Sequence, residues 1–164
     1  MTEYQVCIFE ALKMLVQNDG DLIENQPKEE CINHKLAQYV EIVLSKRNLL
    51  GNCSVDIEYN KYKEDEKKSS DGRPIRPDII AHERKSGDKN NLIVIEAKKG
   101  YGTKGDRDKV TDLVANVKYN YSVGAVISYL PGKKYIKVKF PKQDGTWKNY
   151  LLNKKNFEIT ETTR

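Results

Sequence analysis

The chain has 164 residues, of which 38% are hydrophobic and 32% are charged, and its formal net charge is +5. That length suits one domain, residues 1–164, whose core needs no disulfides. No apolar run approaches the roughly 20 residues of a membrane helix, and the first residues lack the basic and apolar regions of a signal peptide. We therefore expect a cytoplasmic protein with no membrane partner.

The positions of cysteine and histidine argue against a zinc site. Cys7, Cys31 and Cys53 are far apart and form no CxxC pair, and His34 and His82 complete no zinc-binding pattern. Isolated cysteines in a cytosolic chain are expected to stay reduced. The sequence therefore predicts neither a disulfide framework nor structural zinc.

Two helical patterns open the chain. Residues 3–16 carry apolar side chains at helical spacing, and Asn18–Asp21 predicts the end of that helix. Residues 28–50 give a second, stronger helical pattern, which Gly51 ends. The apolar stripe of this second helix consists of Ile32, Leu36, Tyr39, Val40, Val43 and Leu50.

Three strands are predicted next. Residues 54–59 alternate as a half-buried strand does, and residues 77–83 and 92–98 predict two more strands, joined by a hairpin turn at Ser86–Asp88. The last of the three begins with a continuous apolar run, which is typical of a central strand covered on both faces. The charged segment 60–76 has no periodicity and predicts a mobile loop, either a solvated linker or a flap over a neighbouring site.

A helix and three further strands complete the pattern. A glycine-rich loop at 100–105 precedes a helix over 106–119, whose inward residues are predicted to be Val110, Leu113, Val114 and Val117. An apolar strand over 123–130 follows, and strands over 135–140 and 148–152 form a terminal β unit. The order ααβββαβββ predicts an α/β fold.

Asp78, Glu96 and Lys98 form the constellation that points to chemistry. Residues two apart on a strand share a face, so Glu96 and Lys98 project together from the end of the central strand. If this strand pairs antiparallel with the preceding one, Asp78 lies beside Glu96. Two adjacent carboxylates suit a divalent cation such as Mg²⁺, and a nearby lysine can stabilise developing charge or help to orient and deprotonate water. The alternative is that these residues are only the polar exit of a buried strand.

These residues stand as PD…ExK and resemble the pattern of the PD-(D/E)xK nuclease superfamily, which includes restriction endonucleases. The resemblance implies a restriction-endonuclease-like αβββαβ core with a central mixed sheet, an extra N-terminal helix and a C-terminal β extension. It also implies a Mg²⁺-dependent phosphodiesterase in which Mn²⁺ can substitute. Asp78, Glu96 and the Ala97 carbonyl would hold the cation, and Lys98 would position or activate the water.

Further motifs resemble a group of small bacterial domains of this superfamily. Their pattern is a glutamate and a His-Arg-Leu-Ala run, then Asp-x-Glu-Tyr-Asn, then Pro-Asp-Ile-Ile, then a strand that ends in Glu-x-Lys-Lys. The matching segments are Glu29 with His34–Ala37, Asp56–Asn60, Pro77–Ile80 and Glu96–Lys99.

A helix-borne glutamate often joins the metal site of this superfamily, and Glu29 and Glu30 compete for that role. At about 100° per residue, Glu29 aligns with Leu36 and Val40 on the buried stripe, whereas Glu30 falls off it. A carboxylate on a buried stripe needs a partner, and a metal site provides one. This pattern and the resemblance favour Glu29, although acids are also favoured in any first helical turn.

The C-terminal segment favours a polyanionic partner. Between residues 131 and 155 there are eight lysines and one acid. The aromatic residues among them are Tyr135, Phe140, Trp147 and Tyr150. Such a segment can hold a nucleic-acid backbone and stack on bases. The alternative is a solvated strand face, because Lys137 and Lys139 alternate with apolar residues.

The favoured function is metal-dependent hydrolysis of nucleic acid, with DNA as the preferred substrate. The candidate catalytic residues are Glu29, Asp78, Glu96 and Lys98, and the candidate metal ligands are Glu29, Asp78, Glu96 and Ala97. The alternatives are an inactive nuclease-fold module that binds nucleic acid or a protein partner, and a component of a defence or mobile-element assembly. A homodimer would cut both strands of a duplex most easily, but no interface signal in the sequence supports one.

Overall fold

Three helices and nine strands make up the computed structural model, which describes residues 1–62, 65–84 and 90–163. The helices are α1 (Glu3–Asn25), α2 (Glu29–Lys46) and α3 (Lys104–Ala115). The strands are β1 (Ser54–Ile57), β2 (Lys61–Tyr62), β3 (Asp65–Glu66), β4 (Ile79–His82), β5 (Asn91–Lys98), β6 (Val123–Ser128), β7 (Tyr135–Pro141), β8 (Trp147–Asn153) and β9 (Ile159–Thr162). None of the described helices has both the length and the apolar character needed to cross a membrane.

Seven strands form one mixed sheet in the order β1-β4-β5-β6-β7-β8-β9, and β2 pairs with β3 in a separate small hairpin. β4 and β5 are antiparallel, whereas β5 and β6 are parallel. Ile79 and Ile95 pack with α1 and α2 in the main core. Ile80 and Val94 pack on the other face with Leu113 of α3. Helices thus lie on both faces of β5, which confirms the prediction of a central strand and of an α/β fold with a mixed sheet.

α1 is longer than the sequence predicts. The predicted end at residues 18–21 is instead a kink at Asp19, where φ is −135° and ψ is 28°. The helix continues because Ile23 is fully buried in the main core. Tyr39 of α2 donates a hydrogen bond to the Asp19 carboxylate. Packing against α2 therefore overrides the local stop signal.

The sequence predicts a mobile loop over segment 60–76, but the described part of that segment contains regular structure and a buried side chain. It contains β2 and β3, and Lys67 is buried. The Lys67 ammonium donates to the carbonyl groups of Tyr59 and Lys61 and lies over the Tyr59 ring. The Tyr119 hydroxyl bonds the backbone of the residue after Lys67. The burial of Lys67 depends on contacts with carbonyl groups and an aromatic ring. Such contacts produce no hydrophobic periodicity, so they cannot be predicted from the sequence pattern.

Other differences concern the ends of elements. α3 ends at Ala115 because residue 116 adopts an extended conformation. Val117, which is predicted to face inward, is consequently 85% exposed, and Tyr119 and Tyr121 fill the core there. The sequence also does not predict β9. The predicted hairpin turn at Ser86–Asp88 lies outside the described residues.

β7 alternates as the strand-face interpretation predicts. Its apolar residues are buried towards α1, and Lys137 and Lys139 lie on the opposite face. Phe140 and Tyr150 pack edge-on against Phe9 of α1, with ring centroids 5.9 and 5.7 Å from that of Phe9. Phe140 and Tyr150 are therefore core residues, and neither ring is exposed for stacking on a base.

Candidate active site

Asp78 and Glu96 meet where β4 begins and β5 ends. The antiparallel register pairs Ile79 with Ile95, so Asp78 lies opposite Glu96 on the face that α3 covers. The backbone N–H of Asp78 donates to Glu96 Oε1 at 3.3 Å, and the N–H of Ala97 donates to Asp78 Oδ2 at 2.8 Å. The two carboxyl groups are thus neighbours, as the predicted strand pairing requires.

Glu96 places a carboxyl group where a charge is unfavourable. Its side chain is 0% exposed, and burial together with the neighbouring Asp78 carboxylate raises its pKa to about 8. An ionised carboxylate is costly to bury without a compensating charge, and two adjacent carboxylates repel each other. This position therefore favours a cation.

Lys109 of α3 supplies one positive charge to Glu96. Its Nζ lies 2.7 Å from Glu96 Oε2 and 3.4 Å from the carbonyl oxygen of Arg76. Lys109 is not among the predicted site residues, although its spacing from apolar and acidic residues of α3 indicates that it faces inward. It lies three residues after the buried Asp106 and four before the buried Leu113, on the inward side of α3. A lysine on that side needs a partner for the same reason as Glu29.

Lys98 links carboxylates from two different elements. Its Nζ donates to Glu29 Oε1 at 3.1 Å and to Asp78 Oδ2 at 3.2 Å. Burial alone would lower the pKa of Lys98, but the charges of Asp78, Glu29 and Glu96 outweigh it and raise that pKa. Lys98 is therefore an ammonium in this arrangement. It can donate hydrogen bonds to a water or a phosphate oxygen, but it does not accept a proton.

Glu29 joins this group from the start of α2, while Glu30 is exposed. Besides its contact with Lys98, Glu29 Oε2 accepts a hydrogen bond from the backbone N–H of Lys99 at 2.9 Å. Lys99 Nζ donates in turn to the Pro27 carbonyl at 2.9 Å. These contacts tie the first turn of α2 to the end of β5, which puts Glu29 rather than Glu30 at the site.

A buried polar pair lies behind the site. Tyr129, which follows β6, is fully buried, and its hydroxyl donates to Asn33 Oδ1 at 2.8 Å. Burial, followed by the charges of Asp78 and Glu29, raises the pKa of Tyr129 well above its ordinary value. Tyr129 therefore stays a neutral hydrogen-bond donor, and it connects the sheet to α2 one turn after Glu29.

The carboxylates do not form a ready-made metal cage. Among the residues that the structure describes, no three His, Cys, Asp or Glu side chains converge as ligands of one ion. Asp78 and Glu96 are adjacent, but the Lys98 ammonium bridges Asp78 to Glu29. The oxygen atoms of Asp78 and Glu96 fit a hard cation such as Mg²⁺. Glu29 is connected to that pair through Lys98.

A second charged group lies towards the other end of β4. We call it the Asp56 cluster, and its members are Asp56, Tyr59, Lys67, His82 and Arg84. Arg84 donates two hydrogen bonds to the Asp56 carboxylate, at 2.9 and 2.5 Å, and His82 Nε2 lies 3.0 Å from it. Burial alone would raise the pKa of Asp56, but these partners hold it below its ordinary value. Burial lowers the pKa of Lys67 to about 8 and also lowers that of His82.

The fold and the site together define an α/β protein with carboxylates and lysines gathered where β5 leaves a mixed sheet. Comparisons with protein-family models, with curated proteins and with solved structures gave no match. The class of activity must therefore be inferred from the residues of this chain.

Proposed function

We propose that this chain is a metal-dependent nuclease of the PD-(D/E)xK type, which hydrolyses phosphodiester bonds in nucleic acid and prefers DNA. The order α2-β1-β4-β5-α3-β6 corresponds to an αβββαβ core if the β2–β3 hairpin is an insertion. α1 then precedes that core, and β7, β8 and β9 extend it. This order and the PD…ExK residues support the proposal jointly.

The observation that carries the proposal is the fully buried Glu96 carboxyl group beside Asp78. If this end of β5 served stability alone, an apolar residue at position 96 would serve better, because a buried charge seldom adds net stability. A divalent cation accounts for the pair, since it neutralises both carboxylates and draws on oxygen ligands. The adjoining Lys98, whose Nζ lies 3.2 Å from Asp78 Oδ2, would then supply a hydrogen-bond donor to a phosphate or an attacking water.

In this proposal Asp78 and Glu96 hold Mg²⁺, or Mn²⁺ in its place, with the Ala97 carbonyl as a further ligand. When bound, the cation polarises the scissile phosphate and stabilises the leaving oxygen. Lys98 donates hydrogen bonds that orient the attacking water or a phosphate oxygen. Glu29 keeps the Lys98 ammonium in place from the opposite side.

A cleavage assay on plasmid DNA, single-stranded DNA and RNA, with Mg²⁺, Mn²⁺ or EDTA, tests the proposal. Wild-type protein should cut with either metal and should not cut in EDTA. Asp78→Ala and Lys98→Ala should abolish cutting. Glu30→Gln is the matched control, because it removes an exposed acid next to Glu29, and it should cut like wild type. Cutting that persists in EDTA or in Asp78→Ala contradicts the proposal.

A binding module without catalysis is the second candidate, and one observation favours it. Glu29 and Asp78 share the Lys98 ammonium, and Glu96 has the Lys109 ammonium. These ion pairs partly balance the carboxylates without any metal. A module of this kind would bind nucleic acid or a protein partner without cutting in every metal, and Mg²⁺ would not raise its melting temperature.

A further inference from the structure

The part of the sheet beyond β6 continues the face that carries the candidate active site. Across β6, the register leads from Glu96 to Lys139 and from Lys98 to Lys137. Both lysines of β7 therefore lie on the face of Glu96 and Lys98. Because neighbouring strands are about 4.8 Å apart, each pair of Cα atoms is separated by roughly 10 Å.

We call this surface of β7 and β8 the open face. Every residue in the alternating series that forms it is partly exposed, whereas the residues between them are mostly buried towards α1. The series on β7 is Tyr135, Lys137, Lys139 and Pro141, and the series on β8 is Trp147, Asn149, Leu151 and Asn153. These eight positions include two lysines and no acid, so the surface suits an anionic partner.

Arg107 of α3 adds a third cation at the edge of the open face. Its guanidinium donates to the Gly102 carbonyl at 3.4 Å. Burial, followed by the positive charges of Lys137 and Arg107, lowers the pKa of Lys139. Lys139 is thus close enough to Lys137 and to Arg107 to be repelled by both, and phosphate groups along the surface would offset that repulsion.

The other lysines of the C-terminal segment are arranged differently. Lys154 pairs with Glu24 at 2.8 Å, and Lys148 lies on the opposite face of β8. Lys133 and Lys134 are exposed in the turn before β7. Strand register, rather than the number of lysines, therefore defines which of them share a surface with the candidate active site.

An exposed aromatic ring lies near the cations. Tyr101, in the loop between β5 and α3, is 59% exposed, and its hydroxyl is near enough to that of Tyr135, at the start of β7, to raise the pKa of Tyr135. Unpaired bases stack on exposed aromatic rings beside cationic groups. A duplex keeps its bases within the stack and presents phosphates instead. The Tyr101 ring therefore favours a single strand.

We propose that the open face carries a single-stranded segment of nucleic acid past the candidate active site, with Arg107, Lys137 and Lys139 on its phosphates and Tyr101 on a base. The inference rests on the proposed nuclease function and gives it a substrate class, nucleic acid that is single-stranded or locally unpaired. Contacts with phosphates and base faces carry little sequence information, so binding should tolerate many sequences.

Fluorescence anisotropy with a labelled single strand of about 15 nucleotides tests this surface, in EDTA so that no cutting is involved. The double variant Lys137→Ala/Lys139→Ala should raise the Kd about tenfold. The slope of log Kd against log salt should fall by about 1.4, since each lost contact with a single strand removes about 0.7. Thermal denaturation should show that the variant remains folded.

The matched control is Lys133→Ala/Lys134→Ala, which removes the same charge from the same segment and should change the Kd less than twofold. Tyr101→Ala should weaken single-strand binding about fivefold without changing the salt slope or duplex binding. An equal loss in the control pair would overturn the assignment of the open face. A duplex bound as tightly as the single strand, together with no effect of Tyr101→Ala, would overturn the single-strand part.

These results are separable from the proposed function. If Lys137→Ala/Lys139→Ala cuts DNA and binds it like wild type, the nuclease proposal stands and the open-face proposal fails. If wild-type protein binds single strands through this surface but cuts nothing in any metal, the open face stands as the surface of a binding module and the nuclease proposal fails.

Discussion

The candidate active site and the Asp56 cluster lie on the same face of β4 and differ in how their charges are balanced. Asp56 is one carboxylate with a two-point hydrogen bond from Arg84 and a contact with His82. Its pKa is lowered by these partners. Glu96 faces another carboxylate, Asp78, and its pKa is raised to about 8. The Asp56 carboxylate is therefore stabilised in its charged form, whereas the Glu96 carboxyl group is not.

This difference separates a structural role from a functional one. The bonds of Arg84 and His82 to Asp56 join the end of β4 to β1, and nothing needs to be added to stabilise them. At the candidate active site, a bound cation would improve the balance of charge around Asp78 and Glu96. Two adjacent carboxylates repel each other unless a cation lies between them, and among the two groups only the Asp78–Glu96 pair has this arrangement, which is why we assign function to that end of β4.

Removing Asp78 should have the largest effect. Asp78→Asn should lower the cleavage rate at least about 100-fold, because half of the acidic pair is lost. It should lower the free energy of unfolding of the metal-free protein by no more than about 1 kcal/mol, because an amide oxygen can still accept from the Ala97 N–H and Lys98 keeps Glu29 as a partner. Single-turnover cleavage and urea denaturation measure the two quantities. A large loss of stability would place Asp78 in the same structural category as Asp56.

The reverse pattern is expected for Asp56→Asn. It should reduce the free energy of unfolding by about 2 kcal/mol, because the buried His82 and the two-point bond from Arg84 lose their ionised acceptor. Cleavage per folded molecule should stay within twofold of wild type. Urea denaturation, followed by a cleavage assay well below the melting temperature, measures both. An inactive but stable Asp56→Asn would contradict the structural role of the cluster.

The stability of the metal-free protein should depend on pH through Glu96. The folded state keeps the Glu96 proton up to about pH 8, whereas an ordinary glutamate releases it near 4.5. Stability is therefore lost as the pH rises towards 8, by at most about 1.4 kcal/mol per pH unit. The effect of Glu96 on stability is clearest between pH 6.5 and 8. Below pH 6.5 the stability also depends on His82, whose pKa is lowered from 6.5. Above pH 8 it also depends on Lys67, whose pKa is lowered to about 8.

Thermal denaturation in EDTA checks this dependence, and Glu96→Gln is its control. The melting temperature of wild type should fall across the window, while that of Glu96→Gln should stay level. Mg²⁺ should stabilise wild type more at pH 8 than at pH 6.5, because the cation competes with the proton. Parallel curves for wild type and Glu96→Gln would show that Glu96 is not the titrating group.

The smallest effect is expected from the helix carboxylate. Glu29→Gln weakens the hold on Lys98 and should lower the cleavage rate about tenfold, the scale of a lost supporting interaction at a metal site. Glu30→Gln should cut like wild type, because Glu30 is exposed. Equal losses in both variants would point to the charge of the first helical turn rather than to a specific contact.

The sequence predicts that Asp78 and Glu96 lie side by side, because strand alternation and hairpin pairing depend only on residues that are close in the chain. It also favours Glu29 through its place on the buried stripe of α2. It does not predict the Asp56 cluster, whose members come from distant segments, or the burial of Lys67, whose ammonium bonds carbonyl groups. Such contacts depend on tertiary packing and produce no periodic pattern of apolar residues in the sequence.

The central claim is that Asp78 and Glu96 bind a divalent cation. Electron paramagnetic resonance of Mn²⁺ added to metal-free protein measures this directly, with Asp78→Asn and Glu96→Gln as test variants and Asp56→Asn as the control. The account predicts bound Mn²⁺ in wild type and in Asp56→Asn, competed by Mg²⁺, and its loss in both test variants. Folded wild-type protein that binds no Mn²⁺, or binding that is unchanged in Asp78→Asn, would contradict it.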